Sequence, residues 1–196
     1  MPSKTKAAVL TAPRQIELRE LPIPETDDQS GLLRIEVTGV CGVDWPAYTG
    51  DRADRFKLPL ILGHEIVGRV ERIGAQAAFR WGIAEGDRVV LEEYAPCGRC
   101  QYCRSGHYYL CGGMAMEKMY GFTSLDVAPG LWGGFSEYVY LDPHALIHKM
   151  NDNVPSTIAP LYIALANGIR WVQTEGGIGI GDTVVILGPD SWGCPV

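Results

Sequence analysis

"LPLILGHEIVGRVERIG", residues 58–74, begins as an apolar strand, turns at Gly63, and sets His64 and Glu65 at the start of a second apolar run. Read alone, His64 is more often a satisfied core histidine than a ligand. A second stretch bears on the choice. In "GVCGVDWPAYTGDR", residues 39–52, Cys41 sits between glycine turns. By itself that cysteine is a small buried hydrophobe. The chemistry of both depends on the fold that surrounds them.

Working outward, 24 glycines and 13 prolines punctuate short β-type runs through the first 150 residues. "AAVL" (7–10) reads as a first strand. In "LLRIEV" (32–37), Leu33, Ile35 and Val37 share one face, with Arg34 and Glu36 on the other. "GDRVVLEEY" (86–94) and "GGFSEYVYL" (133–141) are further strands entered through glycine turns. Short strands and long irregular loops predict a mostly antiparallel, barrel-like domain over residues 1–150. From Pro155 the period changes. Ile158, Leu161, Leu165, Ile169 and Val172 predict a helix with one buried face, restarted near its beginning by Pro160. "GGIGIGD" then turns, and "TVVIL" (183–187) predicts a short parallel-sheet strand. Residues 151–196 thus read as a connecting helix and the opening of a nucleotide-binding α/β domain.

The densest chemistry lies in "CGRCQYCRSGHYYLC", where Cys97, Cys100, Cys103 and Cys111 follow the spacing C-x2-C-x2-C-x7-C. Two-residue gaps let one tight loop supply three of the four thiolates that a tetrahedral zinc takes at about 2.3 Å. Disulfides are the rival reading, and paired C-x-x-C sites in a reducing compartment favour metal. Four closed ligands leave no open position, so this zinc is expected to hold a lobe together. His107, inside the loop, is expected to face solvent. A nucleic-acid-binding zinc ribbon uses similar cysteines, but it pairs two knuckles across a hairpin and carries a basic surface.

Charge argues the same way. Lys and Arg number 17 against 23 Asp and Glu, a net charge of -6, which gives no attraction toward nucleic acid or anionic lipid. No apolar run reaches the roughly 18 residues of a membrane helix. The apolar part of the N-terminus is too short for a signal peptide. The expected compartment is therefore cytoplasmic.

At this point the chain resembles the zinc-dependent medium-chain alcohol dehydrogenases. Gly63-His64-Glu65 followed by Gly68 and Gly74 matches their zinc signature, "CGVD" matches the segment supplying their first catalytic ligand, and the four-cysteine loop matches their structural lobe. "GDRV" (86–89) and "GGFSEYV" (133–139) also look like the family. The resemblance runs from about Lys6 to Gly188 and covers the front half or so of a full-length member. It implies a GroES-like, partly open barrel with a zinc-binding lobe, followed by a helix and the first strand of an incomplete Rossmann-type domain. It also implies a second zinc on Cys41 and His64, with Glu65 a ligand or just behind one, and Asp44 supporting the site. In that chemistry the metal polarises the hydroxyl of a small alcohol or polyol while hydride leaves for NAD or NADP.

Three departures bear on activity. Val43 stands where the family often relays a proton through Ser or Thr, and Pro46 where some members place histidine. Ala159 occupies a position from which many members take a further ligand. In "GPDSWGCPV", Gly188 and Gly193 keep the first and third glycines of the dinucleotide fingerprint, while Asp190 replaces the second and Pro195 follows. This chain is accordingly expected to bind no nicotinamide by itself, and its tail, with Cys194, to fray. The alternative is a non-catalytic GroES-like zinc-binding module, or a truncated product without dehydrogenase activity. Trp45 and Tyr48 are candidates for a pocket wall or for core packing.

Overall fold

The computed structural model describes residues 3–51, 55–112 and 118–185. They form a mainly β structure of two antiparallel sheets. The smaller has the order β2-β1-β4, with β1 at Lys4–Ala12, β2 at Gln15–Pro22 and β4 at Leu60–Ile61. The larger has the order β7-β3-β5-β6-β8, with β3 at Gly31–Gly39, β5 at Glu65–Ile73, β6 at Arg88–Leu91, β7 at Tyr138–Leu141 and β8 at Ile147–Lys149. Residues just before β7 fuse the two. Phe135 O accepts from Ala8 N at 2.8 Å, Glu137 N donates to Lys6 O at 3.1 Å, and Glu137 O accepts from Ile35 N at 2.9 Å. One segment thus bonds to β1 on one side and β3 on the other, which turns two sheets into a partly open barrel.

The interior follows from alternation. Along β1, Thr5, Ala7 and Val9 are buried, and Ala7 and Val9 share a cluster with Leu33 of β3, Ile66 and Val70 of β5, and Val89 of β6. Tyr120 and Trp132 are fully buried, and each has its polar atom satisfied: Tyr120 Oη accepts from Asp142 N at 2.9 Å, and Trp132 Nε1 donates to Val127 O at 2.8 Å.

Backbones approach closely where Gly133 crosses β4. A Cβ on Gly133 would lie 2.0 Å from Ile61 O, so no side chain fits unless the two segments part. Gly133→Ala is expected to destabilise the fold by about 1–3 kcal/mol. Urea unfolding of the two proteins side by side checks this, with an unchanged midpoint counting against the close approach.

Two expectations are corrected. The C-terminal segment runs as a 3-10 turn Ala159–Leu161, an α-helix Tyr162–Ile169 and a π-helical stretch Arg170–Glu175. Its inward face is Ala159, Pro160 and Tyr162, whereas Ile158, Leu161, Leu165 and Ile169 are exposed and Val172 is half-buried. The 3.6-residue count failed because three helical pitches follow one another. It also failed because Tyr162 is drawn inward by a hydrogen bond from its hydroxyl to Leu91 O. The second correction concerns Thr183, Val184 and Val185, which form no strand. A buried parallel strand needs partner strands beside it, and none of the described strands pairs with these residues. Gly188, Asp190, Gly193, Cys194 and Pro195 lie outside the described residues. Among the described residues no helix is long and apolar enough to cross a membrane.

Candidate metal centre and the adjoining cleft

Cys41 lies two residues beyond the end of β3, in a tight turn leading into α1 (Asp44–Thr49). Asp44 builds that turn. Its N–H donates to Cys41 O at 3.0 Å and its Oδ2 accepts from Cys41 N at 2.9 Å, so residues 41 and 44 hold each other in place. His64 sits between β4 and β5, 2 % exposed, entered through Gly63 at φ +88°. Gly63 is required twice over: its φ is left-handed, and a Cβ there would meet the Phe135 ring at 2.7 Å. The His64 ring packs on Phe122 with centroids 4.9 Å apart.

Glu65 opens β5 and pairs with Gly39, the last residue of β3. A Cβ on Gly39 would fall 1.8 Å from Glu65 Oε2. The missing side chain is therefore the space that the carboxylate fills on its way toward Cys41. One donor atom each from Cys41, His64 and Glu65 lies within 4.8 Å of the others.

The electrostatics of this trio are those of a site short of positive charge. Burial pushes the Cys41 thiol up to about 11, with the Glu65 and Asp44 carboxylates adding to it. Burial likewise raises Glu65, whose carboxylate hydrogen-bonds the Cys41 thiol. Behind them, His64 Nδ1 and Asp44 Oδ1 are both buried without a hydrogen-bond partner, 3.7 Å apart, too far for a bond between them. Buried polar atoms are ordinarily paired. An imidazole that gives one nitrogen to a metal ordinarily donates its other N–H to a carboxylate, which is the arrangement these two atoms face. Thiol, imidazole and carboxylate together suit a divalent zinc-type ion.

The second cluster is the lobe around α3 (Gln101–Arg104). The Cys97, Cys100, Cys103 and Cys111 sulfurs lie within 4.8 Å of one another, with Cys97 and Cys103 at 3.8 Å and Cys100 and Cys103 at 3.4 Å. A tetrahedron of 2.3 Å metal–sulfur bonds has edges of about 3.8 Å, so the spacing fits a metal. It does not fit S–S bonds, and no disulfide joins the described cysteines. Backbone amides already point at the sulfurs: Cys97 Sγ accepts from Cys100 N at 3.4 Å, and Cys100 Sγ from Cys103 N at 3.5 Å. The amides of Arg99 and Cys100 hold the Cys97 thiol below its usual value. His107 is exposed, its Nδ1 3.0 Å from Ser105 Oγ.

The remaining sequence candidates do not converge on the centre in the same way. Val43 is 40 % exposed, and Trp45 is an exposed surface residue. Tyr48 packs against the small cluster of Leu10, Ala47, Leu60 and Leu62. Ala159 is buried against Val67 and Val90, a methyl group in apolar packing.

Sequence reading missed the cleft beside the centre. Because β6 ends at Leu91, residues 92–94 leave the sheet. In the β5–β6 register Ile66 faces Leu91, so the continuing chains bring Glu92 and Glu93 alongside Glu65 and His64. There they line a cleft of about 640 Å³, closed by Tyr108 and Tyr109 of the lobe and by Tyr162 and Arg170 of the helical segment. Glu92 bridges two of its walls, accepting from Tyr108 Oη at 2.7 Å and lying 2.6 Å from His148 Nε2. That bond raises the His148 pKa above its ordinary value. Arg170 sits 3.7 Å from the Tyr109 ring centroid and pairs with Glu175 at 3.0 Å. Burial raises the Glu93 carboxyl, which feels His64 as well as its neighbours Tyr94 and Glu92. The acids of "LEEY" were visible in the sequence, but as part of a strand predicted over 86–94, which ends at Leu91.

A family model described as the alcohol dehydrogenase GroES-like domain matches residues 27–152. The Mycobacterium tuberculosis protein named "Probable alcohol dehydrogenase adh" is 40 % identical over 184 residues, covering 94 % of this chain and 50 % of that protein. An erythritol/L-threitol dehydrogenase of Mycolicibacterium smegmatis is 33 % identical over 196 residues, covering 96 % of this chain and 52 % of its own length. Among solved structures, an alcohol dehydrogenase from Thermotoga maritima superposes with a TM-score of 0.83 at 28 % identity, over 97 % of this chain and 53 % of that one. This chain spans about half the length of the relatives it matches.

Proposed function

Because this chain belongs to the alcohol dehydrogenase GroES-like domain family, we propose that its Cys41, His64 and Glu65 hold a zinc ion that serves NAD(P)-dependent oxidation of a small alcohol or polyol. The observation that carries this reading is the convergence of those three donor atoms within 4.8 Å, beside a cleft of about 640 Å³. Bound there, zinc supplies Lewis acidity toward a hydroxyl oxygen.

The chain's own residues do the rest. Cys41 and Glu65 give up the proton that links them when they turn to a cation, so metal uptake releases protons and weakens in acid. Asp44 fixes Cys41 through the backbone and faces His64 Nδ1. Gly39 keeps the space through which Glu65 reaches its partners. Glu92, Glu93, Tyr108, Tyr109 and Tyr162 line the adjoining cleft. Val43 carries no hydroxyl, so a proton leaving the substrate travels by another group or by water. A second zinc on Cys97, Cys100, Cys103 and Cys111 braces the lobe.

Metal analysis of the purified chain is the test. The expected content is two zincs per chain. Cys41→Ser is expected to leave one, with the circular dichroism spectrum unchanged because serine keeps the size of the buried side chain. Two zincs retained in Cys41→Ser would count against the centre.

A further inference from the structure

We propose that the cleft receives a small alcohol that also carries an ammonium group, with the Glu93 carboxylate as the counter-ion for that group. The proposal rests on reading Cys41, His64 and Glu65 as the centre that takes the hydroxyl. Three carboxylates line the cleft, and two of them are already matched: Glu92 by His148 at 2.6 Å and Glu175 by Arg170 at 3.0 Å. Among the described residues no lysine or arginine pairs with Glu93. It is half-buried, and the chain holds it in place, because Glu93 O accepts from Tyr120 N at 2.8 Å.

The metal itself leaves no surplus charge. A divalent ion bound by the Cys41 thiolate, the Glu65 carboxylate and neutral His64 carries a formal net charge of zero. Glu93, hydrogen-bonded by Tyr94 but paired with no lysine or arginine among the described residues, then faces a cavity, and half-buried charges favour a partner of opposite sign. The cleft walls suit such a partner. Tyr94, Tyr108 and Tyr162 line the cleft, and aromatic rings attract ammonium groups. A carboxylate-bearing substrate meets the reverse, because Arg170 and His148 are already paired with Glu175 and Glu92. The β5–β6 register sets Glu93 beside His64, so a hydroxyl at the centre and an ammonium on Glu93 belong to adjacent parts of one small molecule.

Three ligands of one skeleton separate the charges: 1-amino-2-propanol, 1,2-propanediol and lactate. Each is titrated calorimetrically at pH 7.5 into the cobalt-loaded chain and into its Glu93→Gln variant. Hydrogen bonds to charged groups are the stronger ones, so the amine is expected to bind the native chain on the order of tenfold or more tighter than the diol. Lactate is expected to bind weakest. Glu93→Gln should bring the amine's Kd to that of the diol and leave the diol's unchanged. Equal Kd values for amine and diol in the native chain overturn the proposal. So does an amine preference that survives in Glu93→Gln, or a failure of all three to bind. The visible bands of cobalt report the centre separately. Bands unmoved by bound diol, together with a Glu93-dependent amine preference, count against the metal-centre reading alone.

Discussion

Cys103→Ser in the four-cysteine lobe is expected to lower the thermal midpoint by roughly 8–16 °C and to remove one zinc per chain. The size follows from linkage: a ligand held at a thousandfold excess over its Kd stabilises by about 4 kcal/mol, and each kcal/mol moves the midpoint of a domain this size by about 2–4 °C. The lobe depends on its sulfurs because it has little else. Its α-helix, α3, has four residues, far below the length at which a helix persists unaided. Between Cys97 and Gly112, Cys111 is the one buried residue. Gly98 and Gly106 hold positive φ values of 69° and 81° in open space, turns that the sulfur cluster closes and packing does not. Limited proteolysis should cut the variant between residues 98 and 110 while the barrel survives. A lobe that stays resistant, with the midpoint unmoved, would show that the attachments at Tyr108 and Tyr109 hold it without metal.

Arg88→Met is expected to destabilise the barrel by about 3–5 kcal/mol, since it removes one partner of a buried ion pair. The Arg88 side chain is 2 % exposed and forks onto Glu36, with Nε to Oε2 at 3.0 Å and Nη2 to Oε1 at 2.8 Å. Its remaining Nη1 donates to Val154 O at 2.6 Å and Asn151 O at 3.2 Å. One guanidinium thereby ties β6 to β3 across β5 and anchors the chain that leads to the helical segment. Methionine fills similar volume but leaves Val154 O without its donor and leaves the Glu36 carboxylate with the Ser156 hydroxyl in place of a guanidinium. Glu36→Gln is expected to cost less, because Glu36 is 27 % exposed and an amide can still accept from Arg88.

The pair has a pH signature. Burial pulls the Glu36 carboxyl up, but the Ser156 hydroxyl and the Arg88 guanidinium together hold it below its usual 4.5. A carboxyl lowered on folding contributes fully above its unfolded value and loses that contribution as pH falls through the folded one. The stability gap between native and Arg88→Met proteins should thus be full above about pH 4.5 and shrink in more acid solution. Urea midpoints at pH 7 and pH 3.5 measure it, and a gap of constant size would remove Glu36 from the account.

Local sequence determined what depends on near neighbours. Strand alternation in β1 and β3 is a property of consecutive residues, as is the spacing of Cys97, Cys100, Cys103 and Cys111. The same holds for the turn in which Asp44 clasps Cys41 and for the placing of His64 beside Glu65. The turn at Gly63 was legible as well, but not the Phe135 ring that packs against it or the Glu65 carboxylate that fills the space at Gly39. The tertiary structure decided everything that depends on register and on which face finds a partner. Glu93 reaches the centre only because Ile66 pairs with Leu91 and β6 stops there. The helical segment turned Ala159 and Tyr162 inward, against its own apolar period, because Leu91 O and the Val67–Val90 surface were the partners available. Periodicity counts apolar residues along one chain. Burial depends on the other surfaces that meet them.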